Sequence, residues 1–158
     1  MTPADCPDCP LCRDRGGLLI AQSPDWRVIR VLDAPDFPAF YRLIWQAHVA
    51  EFSQLSASQR GECTEAVNAV EQVLLSALQP TKINLASLGN VVPHLHWHVM
   101  ARFEWDSHYP NPIWGNPARV VAEPSAEARL AVPLAELDRH VAAALRDGAA
   151  RSAARSAA

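Results

Sequence analysis

A chain of 158 residues with a formal net charge of −3 has the size of one ordinary domain. Hydrophobic residues make up 49% of the chain and charged residues 20%, which is typical of a globular protein with a real core. Because no block of basic residues is present, we expect no nucleic-acid polymer as a partner. No apolar run has the length of a membrane span or of a signal segment, so we expect no membrane partner and a cytoplasmic location.

The first 17 residues contain three cysteines separated by prolines, at Cys6, Cys9 and Cys12. They form two overlapping Cys-x-x-Cys pairs, and this spacing lets two thiolates bind one metal ion. In a cytoplasmic protein, free thiols or metal ligands are expected more than disulfides. One such pair supplies half of a tetrahedral zinc site, so the other ligands would have to come from elsewhere in the chain.

Three short segments rich in β-branched and aromatic residues follow, and each predicts a strand. They are Leu18 to Ala21, Trp26 to Leu32 and Phe40 to Gln46. The turn at Ser23-Pro24-Asp25 predicts a hairpin between the first two strands. A long helix is predicted over about 56–78, because Ser56 and Gln59 make a capping box and an apolar stripe continues almost to Pro80.

Two more strands are predicted, at Lys82 to Leu88 and from His94 to about Phe103. The last contains the most informative stretch of the chain, in which His94, His96 and His98 alternate with large apolar residues. Strict alternation predicts that the three imidazoles share one face of the strand and that the apolar side chains pack on a core. Three histidines in this pattern indicate a functional site, and three plain metal ligands are the alternative.

The C-terminal part begins with a Pro- and Asn-rich loop up to Pro117. A second, shorter helix is predicted from Pro133 to Arg146, with a stop at Gly148 and a frayed tail beyond it. The order β-β-β-α-β-β predicts an α+β fold with a five-stranded, mostly antiparallel sheet. We expect residues 1–117 to form the domain with its N-terminal Cys-rich knuckle, and 118–158 to form an extension.

The segment His94 to Met100 resembles the motif of the histidine triad (HIT) family, His-φ-His-φ-His-φ-φ with φ apolar, and fits it at each position. The resemblance extends from about Cys9 to about Trp114. It implies the HIT fold and a nucleotidyl hydrolase or transferase. The substrates it implies are dinucleoside polyphosphates or nucleoside phosphoramidates, cleaved at the α-phosphate. A non-catalytic nucleotide- or metal-binding module on the same scaffold is the alternative.

The resemblance also implies roles for single residues. His96 would attack the α-phosphorus to give a covalent nucleotidyl-histidine, His98 would contact the phosphate, and His94 completes the catalytic triad. Contacts to the nucleotide are implied for Asp33, Ser87, Gly89 and Asn90. For Asp33 the alternative is an Asx-turn, and for Gly89 an ordinary β-turn. Gly89-Asn90-Val91 stands where the Hint and Fhit branches usually carry Gly-Gln followed by Ser or Thr, so we expect different contacts to the leaving group.

A structural zinc ion is implied by the resemblance as well. Many bacterial HIT proteins carry a Cys-x-x-Cys near the N-terminus and a histidine after the third strand, and hold zinc jointly with the first triad histidine. The matching residues here are Cys9, Cys12, His48 and His94, a donor set suited to tetrahedral zinc. Free thiols and a surface histidine are the alternative. Cys6 has no counterpart, and no organic cofactor is implied.

Assembly is the last expectation. The strand Lys82 to Leu88 is apolar and would leave an unpaired edge at the rim of the sheet. The resemblance implies that a second subunit covers this edge, which gives a two-fold homodimer with a continuous sheet. Trp114, in Pro-Ile-Trp-Gly, resembles the Trp segment with which the Hint branch reaches the active site of the partner. An aromatic plug over the core is the alternative.

Overall fold

The computed structural model describes residues 6–156 and the side chains of 6–150, and it has the predicted α+β fold. Its helices are α1 (Pro10–Arg13), α2 (Ala57–Leu78) and α3 (Leu134–Ser156). Its strands are β1 (Leu18–Gln22), β2 (Trp26–Arg30), β3 (Phe40–Trp45), β4 (Lys82–Ala86) and β5 (His96–Arg102). Single 3-10 turns lie at Phe52–Gln54 and Glu127–Arg129. None of the described helices is long and apolar enough to cross a membrane.

The five strands form one sheet in the order β1-β2-β3-β5-β4, and all four pairings are antiparallel. The predicted hairpin joins β1 to β2, and the Ser23 hydroxyl accepts hydrogen bonds from the backbone of Asp25 and Trp26 in its turn. β5 lies between β3 and β4, and its register places His96 opposite Ile44 and His98 opposite Arg42. The histidine-rich strand is therefore an interior strand, held on both sides.

The two faces of the sheet are covered differently. Helices α2 and α3 pack on one face, and the main core forms between them and the strands. Members of this core are Val28, Tyr41, Leu43, Val99, Val70, Leu74, Leu137 and Val141. A smaller cluster on the other face joins Ile29, Phe40, Ile44 and Met100 to Cys9 and Leu11 of the N-terminal segment. Since alternate residues of a strand share a face, His96 and His98 lie on this second face with Met100.

Helix α2 begins and ends as its sequence predicts. The Ser56 hydroxyl accepts a hydrogen bond from the backbone of Gln59, and the Gln59 side chain accepts one from the backbone of Ser56. The helix ends at Gln79, which adopts a left-handed conformation with φ of 47° just before Pro80. Both ends are therefore set by local sequence, and the apolar stripe between them faces the core.

Several elements differ from the predicted bounds. Strands β2 and β4 end at Arg30 and Ala86, two residues before the predicted ends, and Pro10–Arg13 form a helical turn within the N-terminal Cys-rich knuckle. The triad strand begins at His96 and not at His94, because the backbone of His94 donates to the carbonyl of Val92 in a tight turn. Helix α3 does not stop at Gly148 but continues to Ser156. Alanine and arginine favour helix, and one interior glycine costs only about 1 kcal/mol.

Candidate functional site

His96 and His98 form a pair of buried imidazoles in the middle of the sheet. Their ring centroids lie 4.8 Å apart with an interplanar angle of 82°. This is closer than the spacing of alternate residues along a strand, about 6.6 Å, so the two rings lean toward each other. Trp114 lies against the pair, 5.0 Å from the ring of His98, and is 51% exposed.

His96 is held in one tautomer by the backbone. Its Nδ1 lies 2.6 Å from the carbonyl oxygen of His94, and since a carbonyl only accepts, Nδ1 carries the proton. Burial lowers the pKa of His96, against the hydrogen bond to His94, so the ring is neutral at neutral pH. Ser87 donates from its hydroxyl to the carbonyl of His96 at 2.9 Å and fixes its backbone. The lone pair of His96 is therefore on Nε2, where it is suited to nucleophilic attack.

His98 is neutral as well but less constrained. Its Nδ1 is buried and has no hydrogen-bond partner among residues 6–150. Burial lowers the pKa of His98 to about 3, and the neighbouring His96 and Arg42 add to the shift. Because an unpaired buried nitrogen costs free energy, His98 is suited to bind a ligand atom that would supply the missing partner.

His94 belongs to a different group. Its side chain is fully buried, and its Nδ1 lies near the three other predicted metal ligands: 3.4 Å from Cys9 Sγ, 3.5 Å from Cys12 Sγ and 3.3 Å from His48 Nδ1. Cys12 Sγ and His48 Nδ1 are 3.5 Å apart, and all four donor atoms lie within 4.8 Å of one another. This arrangement, the metal cluster below, is suited to hold a metal ion.

The tautomer of His94 agrees with that use. His94 Nε2 donates to the carbonyl of Trp45 at 2.7 Å, which leaves the Nδ1 lone pair facing the cysteines. Burial lowers the pKa of His94 and keeps the ring neutral. Burial and the nearby Cys9 raise the pKa of the Cys12 thiol to about 11. A bound cation would reverse this shift, since metal binding deprotonates its thiol ligands.

Arg27 supports the metal cluster, and we did not identify it from the sequence. Its buried guanidinium donates to the backbone carbonyls of Leu11, Asp14 and Arg15 at 2.6, 3.0 and 3.3 Å. It also donates to Oε1 of Gln46 at 2.8 Å. These bonds tie the N-terminal segment to strand β2. No local pattern could have revealed the role, because the partners lie more than ten residues away along the chain.

Arg42 is the second functional candidate that we did not identify from the sequence. It lies on β3 directly opposite His98, and its guanidinium carbon is 5.7 Å from the ring centroid of Phe40. Within the described part of the chain its side chain makes no hydrogen bond and no ion pair, and its Nε is buried without a partner. A usable signal was present, since Arg42 is the one charged residue in Phe40–Trp45.

The predicted nucleotide-binding residues lie at different distances from the histidine pair. Ser87 contacts the backbone of His96, as described above. Asp33 is exposed in the loop after β2, and its charge opposes the effect of burial on the pKa of Arg42. Gly89 has a φ of +71°, in the left-handed region that favours glycine. The exposed Asn90 makes no side-chain hydrogen bond to a described residue. The structure thus brings Ser87 to the histidine pair, and places Gly89 and Asn90 on the turn before β5.

Two further residues of the sequence analysis have clear positions. Cys6 is half-buried and stays outside the four-donor group, although its carbonyl accepts from the backbone of Cys9 at 3.2 Å. Trp114 is half exposed and contacts His98 of its own chain, so it is not buried as a plug over the core.

Comparison with known proteins gives a consistent family assignment. The model of the HIT domain matches residues 19–105. A histidine triad protein from Bradyrhizobium japonicum is 28% identical over 85% of this chain and 91% of its own, with a TM-score of 0.61. One from Sinorhizobium meliloti is 29% identical over 85% and 90%, also at 0.61. A zinc-bound histidine triad family protein from Mycobacterium smegmatis shares the fold, with 17% identity over 89% and 94% and a TM-score of 0.54. Curated proteins give no match.

Proposed function

The chain belongs to the histidine triad family of nucleotide-binding hydrolases and transferases, and on that premise we propose that it cleaves nucleoside conjugates at the α-phosphate. The substrates would be dinucleoside polyphosphates or nucleoside phosphoramidates. The observation that carries the proposal is the 2.6 Å hydrogen bond from His96 Nδ1 to the carbonyl of His94. It leaves a neutral imidazole in the middle of β5 with its one lone pair on Nε2.

The reaction follows from that lone pair. Nε2 of His96 forms a bond to the α-phosphorus, and the bond from phosphorus to the leaving oxygen or nitrogen breaks with its electron pair on the leaving group. The carbonyl of His94 holds the Nδ1 proton and stabilises the positive charge that the ring gains. His98 contacts a phosphate oxygen as charge moves onto it. Water then attacks the phosphorus and the N–P bond breaks, with its electron pair returning to Nε2. The proton that the water releases to solvent balances the proton that the leaving oxygen or nitrogen takes up from solvent.

The test is detection of the intermediate and of the products. Diadenosine triphosphate, diadenosine tetraphosphate and adenosine 5′-phosphoramidate are each incubated with the protein, and an alkaline quench preserves the acid-labile N–P bond. We expect AMP as a product and a nucleotide adduct on His96 by mass spectrometry. An adduct on another residue would contradict the mechanism. Binding of AMP without turnover of any of the three would favour the non-catalytic nucleotide-binding module.

We further propose that the metal cluster holds a structural zinc ion. A tetrahedral zinc with bonds of about 2.0 Å to nitrogen and 2.3 Å to sulfur separates two nitrogens by about 3.3 Å, and nitrogen from sulfur by about 3.5 Å. The nitrogen pair here is 3.3 Å apart, three of the four nitrogen–sulfur pairs are 3.4, 3.5 and 3.5 Å apart, and all four donor atoms lie within 4.8 Å of one another. The Mycobacterium smegmatis relative is described as zinc-bound.

The proposed zinc would stabilise the catalytic strand and take no part in the reaction. Four protein ligands leave no open coordination position, which is typical of structural sites. The ion would join the N-terminal segment to His94, and the carbonyl of His94 orients His96. Among the described residues, His94 is the one triad histidine that lies in a metal-binding group. This favours separate roles for His94 and the pair over a single metal shared by all three.

Contacts to the nucleotide are proposed for the predicted residues around the pair. The exposed carboxylate of Asp33 can accept two hydrogen bonds from the ribose diol. Gly89 in its left-handed turn frees backbone N–H groups for an anion, and Asn90 adds an amide. We expect Asp33→Asn to weaken nucleoside binding, as measured with adenosine.

The assembly is proposed to be a two-fold homodimer. β4 is an edge strand of the sheet, and Leu85 within it and Leu88 just after it are both exposed, as is Leu75 on α2. An exposed apolar edge invites pairing, and the same strand of a second copy would extend the sheet. A monomer by light scattering at micromolar concentration would contradict this.

A further inference from the structure

Arg42 is a charged side chain that the fold leaves without a partner. It lies on β3, on the face that carries His96 and His98, and its backbone pairs with that of His98. The side chain is half-buried, and Nε is fully enclosed. No described acceptor lies within hydrogen-bonding distance of the guanidinium, and no described carboxylate lies within 4.0 Å. Its guanidinium carbon lies 5.7 Å from the centroid of the Phe40 ring.

Other buried arginines of the chain are treated differently. Arg27 makes four hydrogen bonds, three of them to backbone carbonyls. Arg102 makes two bonds to the carboxylate of Asp106 at 2.8 and 3.0 Å, and others to Asn84 and Asn111. The buried Nε of Arg42 lacks such a partner, which costs free energy that a bound anion would offset. The contrast indicates that the partner of Arg42 comes from a ligand.

Among the groups around the histidine pair, Arg42 is the one suited to attract an anion. His98 is neutral at neutral pH because burial lowers its pKa to about 3, so the imidazole supplies no full positive charge. Asp33 is the acidic group whose charge acts on Arg42, and it is exposed to water in a loop. The side chain of Val91, in the loop before β5, has no donor and is 93% exposed. A fixed positive charge beside the pair is therefore supplied by Arg42.

We propose that Arg42 is a substrate-binding residue whose guanidinium contacts phosphate oxygens of the nucleotide beside His96 and His98. This deepens the proposed function and rests on it for the identity of the substrate. Arginine suits the role because its planar donors match phosphate oxygens in pairs. A fixed cation attracts a ligand in proportion to the anionic charge nearby. Arg42 should therefore favour dinucleoside polyphosphates, which place several charged phosphates at the pair, over phosphoramidates, which place one.

The first experiment separates phosphate binding from nucleoside binding. AMP and adenosine are titrated calorimetrically into the wild type, Arg42→Gln and Arg42→Lys, with Arg139→Gln as control. Arg139 is exposed on α3, whose packing residues lie on the opposite face of the sheet. Since charge-assisted hydrogen bonds are worth about 1.5–3 kcal/mol, Arg42→Gln should weaken AMP binding about 10- to 100-fold. Adenosine binding should change less than about twofold, and Arg42→Lys should recover part of the AMP affinity.

A second readout distinguishes this role from a structural one. An unpaired cation does not stabilise the free protein, so Arg42→Gln should melt at or above the temperature of the wild type. Failure of Arg42→Gln to fold, or an equal loss of AMP and adenosine affinity, would show a structural role and overturn the proposal. Unchanged AMP affinity would overturn it too, as would a wild type that does not bind AMP.

The third measurement tests substrate preference. The ratio of kcat/KM for diadenosine triphosphate over adenosine 5′-phosphoramidate should fall about tenfold or more in Arg42→Gln. An unchanged ratio would overturn the preference. If no conjugate is turned over but AMP binding depends on Arg42, the hydrolase proposal fails and the binding role stands. If turnover is normal and AMP binding ignores Arg42, the hydrolase proposal stands and this inference fails.

Discussion

The triad motif has two parts, His94 and the pair His96 and His98, which differ in how far their ring nitrogens are hydrogen-bonded although they are two residues apart. His94 is fully buried with both ring nitrogens engaged, one on the carbonyl of Trp45 and one among Cys9, Cys12 and His48. His96 has one nitrogen engaged, and His98 has a buried nitrogen with no partner among the described residues. His94, with both nitrogens engaged, is suited to stabilise the fold. His96 and His98, with free nitrogens, are suited to bind a ligand and react with it.

The backbone of His94 connects these halves. Its imidazole belongs to the metal cluster, while its carbonyl fixes the tautomer of His96. A tight turn makes both contacts possible, because it takes His94 out of the ladder of β5. Disturbing the metal cluster should therefore alter the pair His96 and His98, whereas changing the pair should leave the metal cluster intact. This asymmetry can be tested by experiment.

Loss of the metal is the largest expected effect. Cys12→Ser removes one of the four donors, and structural zinc can contribute about 10 kcal/mol to folding. We expect the variant to lose stoichiometric zinc by elemental analysis, to melt far below the wild type and to lose turnover as well. The matched control is Cys6→Ser, in the same segment but outside the four-donor group. Equal losses in Cys6→Ser and Cys12→Ser would contradict the assigned ligand set.

Loss of the nucleophile should act on rate and hardly on zinc. His96→Ala should reduce kcat by several powers of ten, because the bond-forming group is gone. Its zinc content should equal that of the wild type, and its melting temperature should fall far less than that of Cys12→Ser. His140→Ala, on the exposed side of α3, is the control. A His96→Ala protein that keeps a substantial share of wild-type turnover would remove His96 from the mechanism.

Substitution of Arg27 should perturb the metal cluster less than loss of a ligand does. Arg27→Gln should lose most of the hydrogen bonds that tie the N-terminal segment to β2, at a cost of about 3 kcal/mol. The ligands of the metal cluster are unchanged, so zinc should still bind but should exchange faster with a chromogenic chelator. Arg13→Gln removes the same charge from an exposed position of α1 and should exchange zinc at the wild-type rate. Equal exchange rates in the two variants would show that Arg27 does not hold the segment.

How far the sequence predicts the molecule depends on whether a feature is local. The strands, the caps of α2 and the alternation of β5 are set by neighbouring residues, and these predictions are confirmed. The resemblance also grouped Cys9, Cys12, His48 and His94, and the structure brings their donor atoms within 4.8 Å of one another, although Cys9 and His94 are 85 positions apart. The hydrogen bonds of Arg27 and the position of Arg42 beside His98 depend on residues distant in the sequence, so local patterns do not predict them. The predicted end of α3 was wrong because the helix propensity of the following residues outweighed the cost of Gly148.

The pH dependence of stability should show the smallest difference between the two halves. Burial lowers the pKa of His98 to about 3 in the folded state, whereas the unfolded value is 6.5. Between these values the unfolded chain binds the additional proton, so the free energy of unfolding falls as the pH drops from 6.5 toward 3. One such group contributes a slope of up to about 1.4 kcal/mol per pH unit.

His98→Gln should lose this slope in urea unfolding between pH 6 and 4, whereas His140→Asn should keep it. Acid release of the proposed metal from His48 and His94 would be common to all three proteins and would cancel in their differences. If His98→Gln and the wild type keep parallel curves, His98 is not the buried neutral group that distinguishes the open half of the triad.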